Sequence, residues 1–175
     1  MHPGHVFWLF GLSGAGKTTL ATGLAAVLRS QGRTVLLLDG DALRSGLCRD
    51  LGFTDEARWE NIRRAAELAK LAVAQDQIVI AAFITPREGL RSLVREIVGQ
   101  NRLDLIWVDA PLAVCQQRDP KGLYLQSSQG KIPLLTGVNS VFEPPTAYDL
   151  RVKTDQQSVI ELLIELEDYC RRRLD

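Results

Sequence analysis

Residues 11–18 read Gly-Leu-Ser-Gly-Ala-Gly-Lys-Thr, and these residue types at this spacing suit one task, holding the phosphates of a nucleoside triphosphate. Gly11, Gly14 and Gly16 free the backbone to turn successive N–H groups inward as an anion-binding nest. A helix starting near Lys17 would aim the positive end of its dipole at the same point. Lys17 then reaches the β- and γ-phosphates as a point charge, and the Thr18 hydroxyl takes a coordination position on Mg²⁺. The candidate triphosphate site is therefore Gly11, Ser13, Gly14, Ala15, Gly16, Lys17, Thr18 and Thr19. A Gly-rich turn with no ligand is the bland alternative.

Two further groups of charged residues stand where chemistry is expected. Asp39-Gly-Asp41 directly follows an apolar run, which puts both carboxylates beside the phosphate loop, and Arg44 lies one helical turn beyond Asp41. For Asp41 the structural alternative is an N-cap ahead of Ala42-Leu43-Arg44. Arg58 and Asn61 are three apart, hence neighbours on one helix face, with Arg63 and Arg64 close by. A solvated salt-bridge face is the ordinary reading of such a run.

The elements that must position these residues follow from the alternation of short apolar runs with longer helical stretches, the pattern of a parallel sheet covered on both faces. Strands are expected at 6–10, 34–38, 78–83, 103–108 and 150–152, and helices near 17–31, 56–75, 87–98, 111–117 and 157–172. In the last helix Val159, Leu162, Leu163, Leu166 and Tyr169 should face the sheet, and in the second Ile62, Ala65, Ala66, Ala69 and Ala72 can do so. The fold class expected is a three-layer α/β/α phosphate-loop NTPase fold with about five parallel strands, ligands sitting at the C-terminal strand ends. The stretch 119–145 breaks the alternation, being rich in Gly, Pro, Ser and Gln, and reads as a lid on the rim of the phosphate loop.

A chain of 175 residues is enough for one domain spanning 1–175 with a proper core. Lys plus Arg balance Asp plus Glu at 21 each, so charge gives no reason to expect nucleic acid or an anionic membrane as partner. The odd cysteine count (Cys48, Cys115, Cys170) without metal-ligand spacing reads as free thiols in a reducing compartment. The apolar run at 6–10 lacks a basic leader and is too short for a signal peptide or a membrane span, so the cytoplasm is the expected location.

The segments Gly11-Leu-Ser-Gly-Ala-Gly-Lys-Thr-Thr19, Leu38-Asp-Gly-Asp41, Arg49-Asp-Leu-Gly-Phe53, Glu60-Asn-Ile-Arg-Arg64 and Phe83-Ile-Thr-Pro86 resemble, in this order, the adenylylsulfate kinase family. So do Val108-Asp-Ala-Pro111, Arg118-Asp-Pro-Lys-Gly-Leu-Tyr124, Thr136-Gly-Val138 and Phe142-Glu-Pro-Pro145, so the likeness spans nearly the whole chain. What the resemblance implies is transfer of the ATP γ-phosphate to the 3′-hydroxyl of adenosine 5′-phosphosulfate (APS), giving the 3′-phosphorylated sulfate donor (PAPS) and ADP.

By the same resemblance Asp41 orients the acceptor hydroxyl or takes its proton, Lys17 and Thr85 are catalytic, and Asp39 helps place Mg²⁺. Arg44, Arg58 and Asn61 match acceptor-binding positions, Phe53 would stack on the acceptor adenine, and Arg118 would lie against the ATP base. Ile84, Thr85, Lys121, Gly122, Leu123 and Leu135 complete the implied acceptor contacts. The sequence departs from the family at Thr85, where a serine treated as phosphorylatable is usual, and at Ala42 and Cys48, where asparagines are usual. It departs again at 125–129, usually more basic, and at Leu135, which stands for a phenylalanine that would sandwich the adenine. The resemblance also implies a homodimer, with sulfate adenylation left to a separate ATP sulfurylase. Two other readings remain open at this stage: a kinase of the same fold with another hydroxyl acceptor, and a silent nucleotide-binding regulatory domain. A switch GTPase lacks support, since no Asn-Lys-x-Asp segment is present.

Overall fold

Residues 4–174 are described by a computed structural model. Their strands are β1 (His5–Phe10), β2 (Val35–Asp39), β3 (Ile78–Phe83), β4 (Leu103–Asp109) and β5 (Leu150–Lys153), in one sheet of order β2-β3-β1-β4-β5. Every pairing is parallel. β1 and β3 are buried at every position, which is why they read as unbroken apolar runs instead of alternating ones. Alternation is still present as a choice of core. Phe7, Leu9, Ile80, Ala82, Ile106 and Val108 face one cluster, while Val6, Trp8, Phe10, Val79, Ala81, Phe83 and Leu105 face the other.

Helices α1 (Lys17–Ser30) and α7 (Val159–Leu174) cover the first core through Leu20, Leu24, Leu28, Leu162 and Leu166. Helices α3 (Asp55–Val73) and α4 (Glu88–Val98) cover the second, and α3 contributes the expected Ile62, Ala65, Ala66, Ala69 and Ala72. Small alanines on that face let α3 approach the sheet closely while Trp8, fully buried, fills the space and stacks on Phe83 at 4.9 Å. The α7 stripe differs from expectation. Leu162, Leu166, Cys170 and Leu174 are buried at a regular four-residue spacing, Leu163 and Tyr169 are partly buried, and Val159 at the first turn is 47% exposed.

Strand ends agree with expectation to within one residue, and so does the placement of α5 (Leu112–Arg118). Two α-helices were not foreseen. α2 (Gly40–Ser45) follows β2 at once, and its N-cap is Asp39, whose Oδ1 accepts from the N–H groups of Asp41 at 2.9 Å and Ala42 at 3.4 Å. The cap considered for Asp41 is thus carried two residues earlier, and the Asp41 carboxylate is released from that duty. Within 119–145, α6 (Leu123–Ser128) forms, capped by the Asp119 carboxylate, which accepts from the N–H groups of Tyr124 and Leu125.

At the opposite rim from the C-terminal strand ends, His5 bonds Asp104 at 2.8 Å and Arg173 donates to the same carboxylate at 2.5 Å. Among the described residues no helix is long and apolar enough to cross a membrane.

Candidate active site

The phosphate loop leaves β1 at its C-terminal end and runs directly into α1. Two glycines are required there by close approach: a Cβ on Gly11 would fall 2.2 Å from the Val108 carbonyl, and one on Gly14, at φ +78, would fall 2.8 Å from the Cys115 carbonyl. Lys17 is 9% exposed, and its Nζ donates to the Leu12 carbonyl at 2.7 Å, which folds the side chain back across the loop. Burial, reinforced by the nearby charge of Lys121, lowers its pKa to about 8, and Asp41 and Asp39 oppose the shift. Lys17, Lys121, Asp41 and Asp39 therefore share one electrostatic site.

The Thr18 hydroxyl donates to Asp39 Oδ2 at 2.8 Å, so the two side chains expected at the metal stand together. Among the described residues no cluster of three or more His, Cys, Asp or Glu side chains could hold an ion by itself. One hydroxyl beside one carboxylate suits Mg²⁺, which keeps water and substrate phosphate oxygens in its shell instead of entering an all-protein cage. The residues present fit that ion.

Asp41, two thirds exposed, accepts a hydrogen bond from Lys121 Nζ at the base of the 119–145 segment. A cavity of about 380 Å³ is lined by Phe53, Thr54, Asp55, Glu56, Arg58, Arg87 and Leu134 among others, so two arginines and two carboxylates share its wall. Phe53 is 59% exposed with Arg44 over its ring at 4.4 Å, and Arg44 also donates to the Gly52 carbonyl at 2.9 Å. Arg58 donates to the Phe53 carbonyl at 3.0 Å, to Thr136 Oγ1 at 3.0 Å and to the Leu134 carbonyl at 2.9 Å. Burial and the neighbouring Arg44 charge lower the Arg58 pKa, a cost that an anionic ligand would remove. Asn61 is 5% exposed, and its Oδ1 has no hydrogen-bond partner, an orphaned acceptor beside the cavity-lining Arg58.

Other expected residues are placed differently. Thr85 is 1% exposed at φ +42, its hydroxyl accepts from the Trp8 indole at 2.9 Å, and its carbonyl accepts from Arg91 at 3.2 Å. Its hydroxyl is thereby turned into the second core, away from the open cavity. The Ile84 carbonyl accepts from the Gly11 N–H at 3.3 Å, joining the end of β3 to the phosphate loop. Leu135 is 5% exposed and packs in the first core, whereas its neighbour Leu134, 43% exposed, lines the cavity. Arg118 donates to the Thr154 carbonyl at 2.6 Å and reaches Gly14 O at 3.4 Å, so it lies against the loop. Gly122, at φ +64, begins α6, and Leu123 packs on the first core.

Residues without an expectation attached hold this arrangement. Arg91, fully buried on α4, donates to Glu88, Thr85 O and Glu143 O, and the Glu143 carboxylate accepts the Glu88 N–H at 2.7 Å. The far end of 119–145 is thereby fastened to the start of α4. Arg64 forks onto Asp50 at 2.7 and 2.8 Å and bonds Glu60 at 2.9 Å, pinning the connection from α2 to α3 that carries Phe53. Tyr124 and Glu143 lie inside quoted motifs and were within reach of sequence reading, but Arg91 carries the same signal as any solvated helix arginine.

The family model for adenylylsulphate kinase matches residues 3–153. An adenylyl-sulfate kinase of Escherichia coli O6:K15:H31 is 46% identical over 171 residues, which are 98% of this chain and 85% of that protein. The structure of a Mycobacterium tuberculosis APS kinase in complex with AMPPNP and APS superposes with TM-score 0.92 at 35% identity, covering 97% of this chain and 98% of that one. A hexameric APS kinase from Thiobacillus denitrificans gives TM-score 0.72 at 30% identity over 99% of this chain and 30% of that one.

Proposed function

The chain belongs to the adenylylsulfate kinase family, and from that premise we propose how its residues divide the work of moving the ATP γ-phosphate to the 3′-hydroxyl of APS. The enzyme is an ATP-dependent kinase that forms PAPS and ADP. In our reading, 1–175 is one kinase domain and 119–145 is its lid. Phosphoryl transfer passes through a loose transition state, so positioning and charge neutralisation supply most of the catalysis.

Gly11 to Thr19 hold the ATP phosphates through backbone N–H groups and Lys17, whose burial keeps it unsolvated and ready for anionic oxygens. The Thr18 hydroxyl and the Asp39 carboxylate would hold Mg²⁺, which when bound would neutralise phosphate charge. Arg118 flanks the base of ATP. Arg44, Arg58, Asn61 and Phe53 take the APS nucleotide, the arginines gripping its charged end and Phe53 stacking on its adenine. Asp41 orients the 3′-hydroxyl and accepts its proton, with Lys121 leaving Asp41 for the acceptor as the lid closes.

The observation that carries this division is the release of Asp41 from helix capping, because Asp39 takes that role and leaves the Asp41 carboxylate to Lys121, within the electrostatic reach of Lys17. A homodimer, a cytoplasmic location and coupling to a separate ATP sulfurylase complete the proposal. The testing experiment is ADP release from ATP and Mg²⁺ with and without APS, the product identified by mass. Acceptor-dependent ADP with a 3′-phosphorylated product is expected; ADP release indifferent to APS would overturn the reading.

A further inference from the structure

Four consecutive carbonyls of the phosphate loop each accept a hydrogen bond from a side chain. Lys17 Nζ donates to Leu12 O at 2.7 Å, the Tyr124 hydroxyl to Ser13 O at 2.8 Å, Arg118 to Gly14 O at 3.4 Å and the Thr154 hydroxyl to Ala15 O at 2.8 Å. A loop whose N–H groups converge on an anion must turn its carbonyls away, and each carbonyl turned into protein needs a donor. Only Lys17 belongs to the loop's own motif. Arg118 and Tyr124 bracket the base of the lid, and Thr154 follows β5.

Thr154 is the junction of this harness. Its N–H donates to Asp109 O at 3.0 Å, its carbonyl accepts from Arg118 at 2.6 Å, and its Oγ1 accepts from Arg118 at 3.0 Å. A guanidinium only donates, so the single hydroxyl proton of Thr154 is left for the Ala15 carbonyl, and the direction of the relay is fixed. The γ-methyl packs on the loop as well, 3.6 Å from where a Cβ on Gly16 would stand.

We propose that Thr154 is a positioning residue for phosphoryl transfer, its hydroxyl tying Arg118 to the Ala15 carbonyl so that the phosphate loop and the base of the lid are set as one unit. It acts through the loop backbone, not by touching phosphate. The inference rests on the reading that this loop holds the ATP phosphates.

The test compares Thr154→Val, which keeps the shape and loses the hydroxyl, with Thr154→Ser, which keeps the hydroxyl. Calorimetric titration with MgADP and steady-state kinetics are the readouts. In Thr154→Val, MgADP affinity and kcat/KM for ATP fall about tenfold while KM for APS stays within about twofold, and Thr154→Ser returns to within about twofold of the parent. Unchanged nucleotide affinity in Thr154→Val, failure of serine to rescue, or an equal change in KM for APS would each overturn the proposal. Should the valine variant not fold, Thr154→Ala carries the same comparison. Acceptor-dependent ADP release by the parent is measured alongside; a parent that binds MgADP without turning over APS sinks the kinase reading and leaves the affinity comparison standing.

Discussion

The Lys121 ammonium donates to the Asp41 carboxylate across 80 positions of sequence, joining the start of the 119–145 segment to the first turn of α2. Both side chains are substantially exposed, at 46% and 66%, so the pair adds little to stability, and in the proposed division of roles its importance lies in which charge faces the acceptor. Asp41→Asn is expected to lower kcat by about 10²-fold or more through loss of the proton acceptor, with a thermal midpoint within about 2 °C of the parent. Stopped-assay kinetics and a melting curve check both halves, and a near-parent kcat would remove Asp41 from the chemistry.

Lys121→Met separates the second partner. It frees Asp41 and, on the proposed roles, removes an acceptor contact, so KM for APS should rise about tenfold while KM for ATP changes less than about twofold. Equal changes in both constants would show that Lys121 serves the whole lid instead of the acceptor.

Arg58 has two sets of neighbours, since it lines the 380 Å³ cavity and also bonds the 119–145 segment through Leu134 O and Thr136 Oγ1. Arg58→Ala should raise KM for APS by about tenfold and speed proteolytic nicking within 119–145, because two contacts to that segment are lost at once. An unchanged KM for APS would return Arg58 to the role of a loop fastener.

Lys17 gives a pH dependence whose sign is fixed by its environment. Burial and Lys121 depress its pKa from 10.5 to about 8, so between those values the folded protein binds fewer protons than the unfolded chain. Stability from this group is lowest below about pH 8 and rises as pH climbs toward 10.5. Triphosphate oxygens favour the charged form and push the pKa back up, so binding above pH 8 must take up a proton. Calorimetry of ATP binding at pH 8.5 in buffers of different ionisation enthalpy should reveal that uptake; identical heats in all buffers would contradict it.

Asp104 supplies the opposite case on the far rim. Burial would raise its pKa, yet the hydrogen bond and charge of His5, together with Arg173, leave it lowered. Its contribution is present above the unfolded value of 3.8 and is lost as pH falls through the lower folded pKa. Asp104→Asn should cost about 3 kcal/mol near neutral pH and flatten the acid limb of the stability curve, measured by urea unfolding at several pH values. A parent-like curve would mean that the cluster is energetically idle.

Much of this molecule is legible in its sequence. The phosphate loop is local chemistry, in which eight adjacent residues specify a backbone path and a cation, and β1 and β3 declare themselves because strands buried on both faces need unbroken apolar runs. Helix α3 announced its buried face through alanines at helical spacing. The motifs between 38 and 145 pointed to the acceptor side, and the cavity gathers Phe53 and Arg58 from two of those neighbourhoods.

Partner choice was decided only by the tertiary structure. Whether Asp39 or Asp41 caps α2 depends on where β2 ends and on Thr18 approaching from another element, which no spacing records. Whether Leu134 or Leu135 meets the cavity turns on the phase of an irregular segment with no period to read. The Thr85 hydroxyl is claimed by an indole 77 residues away, and the carbonyls of residues 13–15 by side chains at 124, 118 and 154. Sequence by itself determined what depends on neighbours along the chain: propensity, periodicity and the phosphate grip. Which donor satisfies which buried acceptor depends on distances across the fold, and those exist only once the layers have packed.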